Sequence, residues 1–308
     1  MKGSGESAIE AIVQARKERP FRDLFDFCVR VDKRQINRRT IESLIRAGAF
    51  DCFKEDRAVL LASVGLAIEA AEQAEASANQ VSLFGEEDTV LNAVEYVRVP
   101  HWTEKSRLTE EKGVLGFCLS GHLFHAYAGE ARQFAKSRIS ELEASREPRW
   151  VAGIVAGTRA QMSQRGKMMV VSLDDGSATI EVTVFSELLE QKRAIFREDE
   201  FLAVFGKVSE DRFSGGLRLN ADDALDITEV RLHFGRHMAF DLPERFSVSA
   251  LKEILSAYVD GNGMHLRTDY VSCGNRCLID FGTNWRILPK DECLNKLAQH
   301  FQNVRVVY

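Results

Sequence analysis

The chain has 308 residues, 45% of them hydrophobic and 28% charged, and a formal net charge of −5. That length holds two or three domains, and that balance excludes both wholesale disorder and a surface that attracts polyanions everywhere. No run approaches eighteen apolar residues and no apolar stretch follows the basic residue at the start, so neither a membrane span nor a secretory leader is expected, and a cytoplasmic location is.

The charge is unevenly spread. Residues 1–57 carry 13 Lys and Arg against 10 Asp and Glu, a net of +3, whereas residues 58–100 carry one Arg against seven acids, a net of −6. A basic front end on an acidic chain points to local contact with a polyanion.

Residues 1–57 read as a tandem helix-hairpin-helix region that binds DNA. In the first unit Ile9, Ile12 and Val13 have helical spacing up to the break at Pro20. In the second, Asn37 caps a stripe of Ile41, Leu44 and Ile45 that Gly48 ends. Gly3 and Gly5 before the first helix would let its N–H groups meet a phosphate, with Lys2, Lys33, Arg34, Arg38 and Arg39 neutralising charge. The plainer reading is that glycine lets two helices cross and that the cations are solvated.

Residues 58–100 read as one helix, running from 57 to 79, and a linker. The linker holds "QVSLFGEED", in which Gln80, Leu83 and Phe84 spell Q-x-x-L-F between acidic flanks. An extended peptide of this kind can insert Leu and Phe into a partner's apolar pocket while Gln bonds at its rim. Residues 101–147 form a helical connector. His122 and His125 within it have i, i+3 spacing, but with no carboxylate or cysteine to match they read as packed histidines.

From residue 148 the period changes to alternation. Five strands, with a short helix "EQKRAIF" between the third and fourth, give a five-stranded OB barrel over residues 148–230. Arg159, Gln161, Arg165 and Lys167 around its first hairpin are the candidates for single-stranded DNA, and Phe185 and Phe205 in the strands could stack bases or fill the core. The net charge of −3 over residues 148–232 weakens that case. Residues 231–308 follow in the order βαββαβ, a small α+β domain opening with the strand "RLHFGRHMAFDL". The fold class is therefore multidomain: an all-α region, an OB barrel, and an α+β domain.

No catalytic residues are expected. GxxxxGKS/T, GxSxG and HExxH do not occur, and Asp174-Asp175 and Asp222-Asp223 read as turn and strand-end chemistry. Six cysteines lack the spacing of a disulfide framework, and the CxxxC pair Cys273 and Cys277 has no partner pair for zinc. Reduced thiols, no metal and no cofactor are the expectation.

The stretches "KGSGESAIEAIVQAR", "NRRTIESLIRAGAFD", "QVSLF", "EEKGVLGFCLSGHLFHAY" and "SLDDGSATIEVTVFSELLE" together resemble the C-terminal third of the bacterial DNA polymerase III alpha subunit, over essentially the whole chain. The resemblance implies that the hairpins grip duplex DNA and that Gln80, Leu83 and Phe84 form an internal motif for the sliding clamp (beta). It further implies that the OB barrel meets single-stranded template and that residues 231–308 contact the tau subunit of the clamp loader. The family is a DNA-directed DNA polymerase, a nucleotidyltransferase, but its PHP, palm, thumb and fingers regions are missing here, so the chain is expected to be a noncatalytic fragment. Leu123 stands where the family usually has proline after "SGH". Two other readings are a stand-alone OB-fold nucleic-acid-binding adaptor and a thiol- or metal-dependent enzyme, which would bind metal stoichiometrically.

Overall fold

The computed structural model describes residues 5–79, 95–163, 166–211, 215–272 and 275–308. The chain divides into two units, residues 1–123 and 124–308. The first is helical: α1 (Glu6–Glu18), α2 (Leu24–Arg30), α3 (Arg38–Arg46), α4 (Arg57–Ala62), α5 (Val64–Asn79) and α6 (Glu104–Leu115). Leu24, Phe27, Ile45 and Leu60 are fully buried at its centre, and the small side chains of Ala67, Ala70 and Ala71 let α5 lie close beside them.

Side-chain caps set these helix starts. Asn37 Oδ1 accepts from Thr40 N at 2.9 Å to begin α3, and Asp23 Oδ1 accepts from Asp26 N at 2.8 Å to begin α2. Helix α2 lies where the sequence reading saw none, although Asp23 ahead of an apolar run was its signal. The single helix expected over 57–79 is in fact two, broken at Ser63. There the hydroxyl donates to Val59 O at 2.8 Å and accepts from Val97 N at 2.9 Å, which ties the break to the returning chain.

In the second unit α7 (Ala128–Ala131) precedes a closed barrel of β1 (Arg149–Ser163), β2 (Gly166–Asp174), β3 (Thr179–Val184), β4 (Phe201–Glu210) and β5 (Leu217–Leu225) in the order β1-β2-β3-β5-β4. The β3–β5 pair is parallel and the rest are antiparallel, the OB arrangement. Val151, Val155, Leu173, Val182, Leu202, Val204 and Leu219 fill the interior. Closure needs Gly206 at a bulge in β4, where a Cβ would stand 2.0 Å from Asn220 O.

Helix α8 (Ser186–Lys192) starts earlier than "EQKRAIF", so Phe185 occupies its N-cap rather than a strand. Residues Arg231–Phe234, read as strand, belong to α9 (Ile227–Phe234). Asp226 and Glu229 close a reciprocal capping box at its start, with Glu229 N to Asp226 Oδ1 at 2.8 Å and Asp226 N to Glu229 Oε2 at 3.1 Å.

The last domain has a four-stranded sheet in the order β8-β7-β6-β9, from β6 (His237–Leu242), β7 (Val259–Ser272), β8 (Asn275–Asp280) and β9 (Gln302–Val307). Helices α10 (Val248–Ser256) and α11 (Asp291–Ala298) bury Leu251, Leu255, Cys293 and Leu297 against Met238, Phe240 and Leu266. Arg231, buried on α9, binds Glu130 through two bonds of 2.9 and 2.7 Å, Asp291 at 2.8 Å and Pro289 O at 2.8 Å. The Tyr308 hydroxyl also reaches Glu130 and the Tyr127 hydroxyl reaches Asp291, each at 2.5 Å. One guanidinium thus fastens α9 to the segment around α7, to α11 and to the residue after β9. Among the described residues no helix is long and apolar enough to cross a membrane.

Candidate nucleic-acid interface

The first hairpin presents the N-terminus of α1. Gly5 is its N-cap, with extended backbone (φ −83°, ψ 160°), and no side chain caps the first turn. A Cβ on Gly5 would meet nothing nearer than Ser7 Oγ at 3.9 Å, so the described fold does not itself demand glycine there. The uncapped N–H groups can donate to an anion, although Glu6 in the first turn already answers part of the helix dipole. Lys2 and Gly3 lie outside the described residues.

The second hairpin gathers four of the predicted cations between residues 33 and 39. Lys33 and Arg34 occupy the turn after α2, where Arg34 N donates to Asp32 Oδ1 at 2.9 Å. Arg38 and Arg39 open α3 behind the Asn37 cap. Two of the four are engaged: Lys33 with Glu75 at 2.8 Å and Arg38 with Glu42 at 2.8 Å. Lys33 also draws the Glu75 carboxyl below its usual range, by hydrogen bond first and charge second. Both pairs are solvent-exposed on at least one side, and such pairs are weak in water, so a phosphate can displace them. Arg34 and Arg39 are exposed and form no ion pair among the described residues.

The hairpin turn rests on a lock that the sequence reading did not find. Gly48 ends α3 with φ +82°, and a Cβ there would lie 2.1 Å from Arg57 Nη2. The Arg57 guanidinium fills that space, binding Asp51 through 2.7 and 2.6 Å bonds, Arg46 O at 3.2 Å and Glu111 at 3.4 Å. Glu111 is fully buried and accepts from Leu119 N at 2.8 Å, Ser120 N at 2.9 Å and Ser120 Oγ at 3.1 Å. Burial pushes the Glu111 carboxyl up, but these donors and Arg57 outweigh it and hold it below the usual range. The loop "LGFCLSG" is therefore organised by Glu111, eight and nine residues before the Leu119 and Ser120 N–H groups that donate to it, a pairing no local pattern announces. Leu123, the departure from the family's proline, is buried at 5% exposure.

On the barrel the predicted single-strand residues are separated by strand alternation. Arg159 and Gln161 share one face of the β1–β2 ribbon, while Lys167, paired across from Met162, takes the other. Arg159 Nη2 binds Glu181 at 2.6 Å, and Glu181 also takes Arg218 at 3.1 Å, itself 3.3 Å from Asp211. Phe205 packs on Trp150, its cross-strand neighbour, with ring centroids 5.2 Å apart, and Phe234 meets Trp150 at 5.3 Å. The Phe205 ring is half-buried in this aromatic cluster. Arg165 lies outside the described residues, as do Gln80, Leu83 and Phe84.

A helix-hairpin-helix with an exposed cationic turn, followed by a closed OB barrel, defines a multidomain protein built from nucleic-acid-binding modules. The family model described as a helix-hairpin-helix motif matches residues 1–60, and that described as an OB-fold nucleic acid binding domain matches residues 150–227. Along nearly its whole length the chain is homologous to the C-terminal region of the DNA polymerase III alpha subunit. It is 36% identical over 302 residues to that subunit of Neisseria meningitidis serogroup A, covering 96% of this chain and 26% of the relative. With the Pseudomonas aeruginosa subunit it shares 37% over 330 residues, 98% of this chain and 28% of the relative. With that of Escherichia coli it shares 35% over 311 residues, 96% and 27% respectively. The chain spans about a quarter of the length of these curated relatives.

Proposed function

We propose that this chain is the noncatalytic, DNA-tethering and partner-docking portion of a replicative polymerase alpha subunit. Its hairpins hold duplex DNA through Gly5 at the start of α1 and through the Lys33, Arg34, Arg38 and Arg39 turn, with Lys2 and Gly3 extending the first contact. Gln80, Leu83 and Phe84 dock into the sliding clamp, the OB barrel meets single-stranded template, and residues 231–308 meet the clamp-loader tau subunit. Each contact is weak alone. Burying Leu83 and Phe84 contributes about 1.5–3 kcal/mol apiece, and linkage on one chain raises residence through effective concentration.

The observation that carries this reading is the match to alpha subunits over 96–98% of the chain, including the parts outside both nucleic-acid modules. A stand-alone OB adaptor would account for residues 150–227 and leave the rest unexplained. The experiment is a binding titration of the full chain against the sliding clamp, repeated with Phe84→Ala. The reading expects the variant to bind at least about ten-fold more weakly, the loss of an interface anchor. Equal affinity removes the clamp assignment.

A further inference from the structure

Beside the barrel, the segment between α7 and β1 borders the β2–β3 turn and leaves a cleft of about 320 Å³. Its floor is low. Ala131 is buried, Ala128, Ala135 and Phe124 are half-buried, and three of these four side chains are single methyl groups. Its rim is cationic, with Arg132, Lys136 and Arg138 all exposed.

These three cations form no ion pair among the described residues. The two acids at the cleft are turned to other work. Asp175 accepts from Ile139 N and Ser177 N at 2.9 Å each, from Ala178 N at 3.2 Å and from Ser177 Oγ at 2.6 Å. Burial pushes its carboxyl up, but those donors prevail and keep it ionised and committed to the turn. Glu141 accepts from Arg138 N at 3.2 Å. The strand face differs, because its Arg159 and Arg218 are already matched to Glu181 and Asp211. Among the described residues, Arg132, Lys136 and Arg138 are the lining cations of this cleft, and none is ion-paired.

We propose that the cleft binds a nucleoside phosphate, with the phosphate held by Arg132, Lys136 and Arg138 and the base laid over the alanine floor beside Phe124. Two arginines and a lysine can grip phosphate oxygens through charge-assisted bonds, with a planar fork from each arginine. The lining is mostly polar, as a phosphate site requires, and 320 Å³ lies within the usual range for a small-ligand site. The ligand is either a free nucleotide or one unit of a single strand. This site does not depend on the polymerase reading.

The test titrates the full chain with deoxyadenosine monophosphate, with deoxyadenosine, and with a short single-stranded oligonucleotide, each with and without the exposed double variant Arg132→Glu/Arg138→Glu. Thermal melting shows that the variant is folded. The site predicts saturable monophosphate binding that inorganic phosphate competes away, no comparable binding of deoxyadenosine, and at least a ten-fold loss in the variant. If only the oligonucleotide binds and the variant weakens it ten-fold, the ligand is a strand unit. If neither binds, or if the double variant leaves both affinities unchanged, the proposal is overturned. Arg159→Ala, on the strand face of the β1–β2 ribbon, reads the strand-face contact separately. A loss there with none in the cleft variant counts against the cleft and not against the strand face.

Discussion

Glu111 concentrates much of the first unit's specificity in one carboxylate. It is fully buried, and its lone pairs are taken by Leu119 N, Ser120 N, Ser120 Oγ and Arg57. Removing it would leave those donors and a buried guanidinium short of a partner, so Glu111→Ala should cost about 3 kcal/mol of unfolding free energy in a denaturant titration. The pH dependence follows the same bonds. Glu111 and Asp26 both have carboxyls held below their usual values of 4.5 and 3.8. The folded state binds those protons less readily than the unfolded chain, so their contribution is complete above the usual carboxylate range. It fades as pH falls through the lower folded values. Melting temperature measured from pH 6 down to pH 2 should drop on that limb, and Glu111→Gln should flatten part of the drop. An unchanged acid limb in Glu111→Gln would mean that the carboxylate adds nothing as a charge.

At the scale of elements, the Arg231 knot and the α9 cap carry the testable content. Glu130→Ala strips the guanidinium of its two-bond partner while leaving it buried, and should destabilise the second unit by about 3 kcal/mol. Asp226→Ala removes one cap and should cost about 1 kcal/mol. Equilibrium unfolding of both variants checks the order as well as the sizes. The same elements explain what was legible in the sequence. The barrel strands alternate strongly between Gly-marked turns, and β1 is the stretch Arg149 to Ser163 that the pattern marked. Helix α9 was missed because "DALDITEVRLHF" continues the apolar alternation of β5, and only Asp226 with Glu229 signals that a helix starts. The Gly48 turn was legible, but its partner Arg57 was not, since that contact depends on how α3 and α4 pack. The Arg231 partners at 130 and 291, and Tyr308 bonded to Glu130, lie too far away in sequence for any window to pair them.

Across the whole molecule, the proposed function links a duplex contact, a strand contact and two protein contacts on one chain. The charge asymmetry of the first hundred residues supports the duplex contact at the hairpins rather than a general attraction. The most direct measurement of this central claim is the full chain's affinity for duplex DNA as a function of salt, with and without Arg34→Ala/Arg39→Ala. The account predicts that log affinity falls linearly with log salt, and that the double variant makes the slope shallower by about 0.9 for each phosphate contact removed. A slope the double variant leaves unaltered, or an affinity that salt does not change, would contradict it.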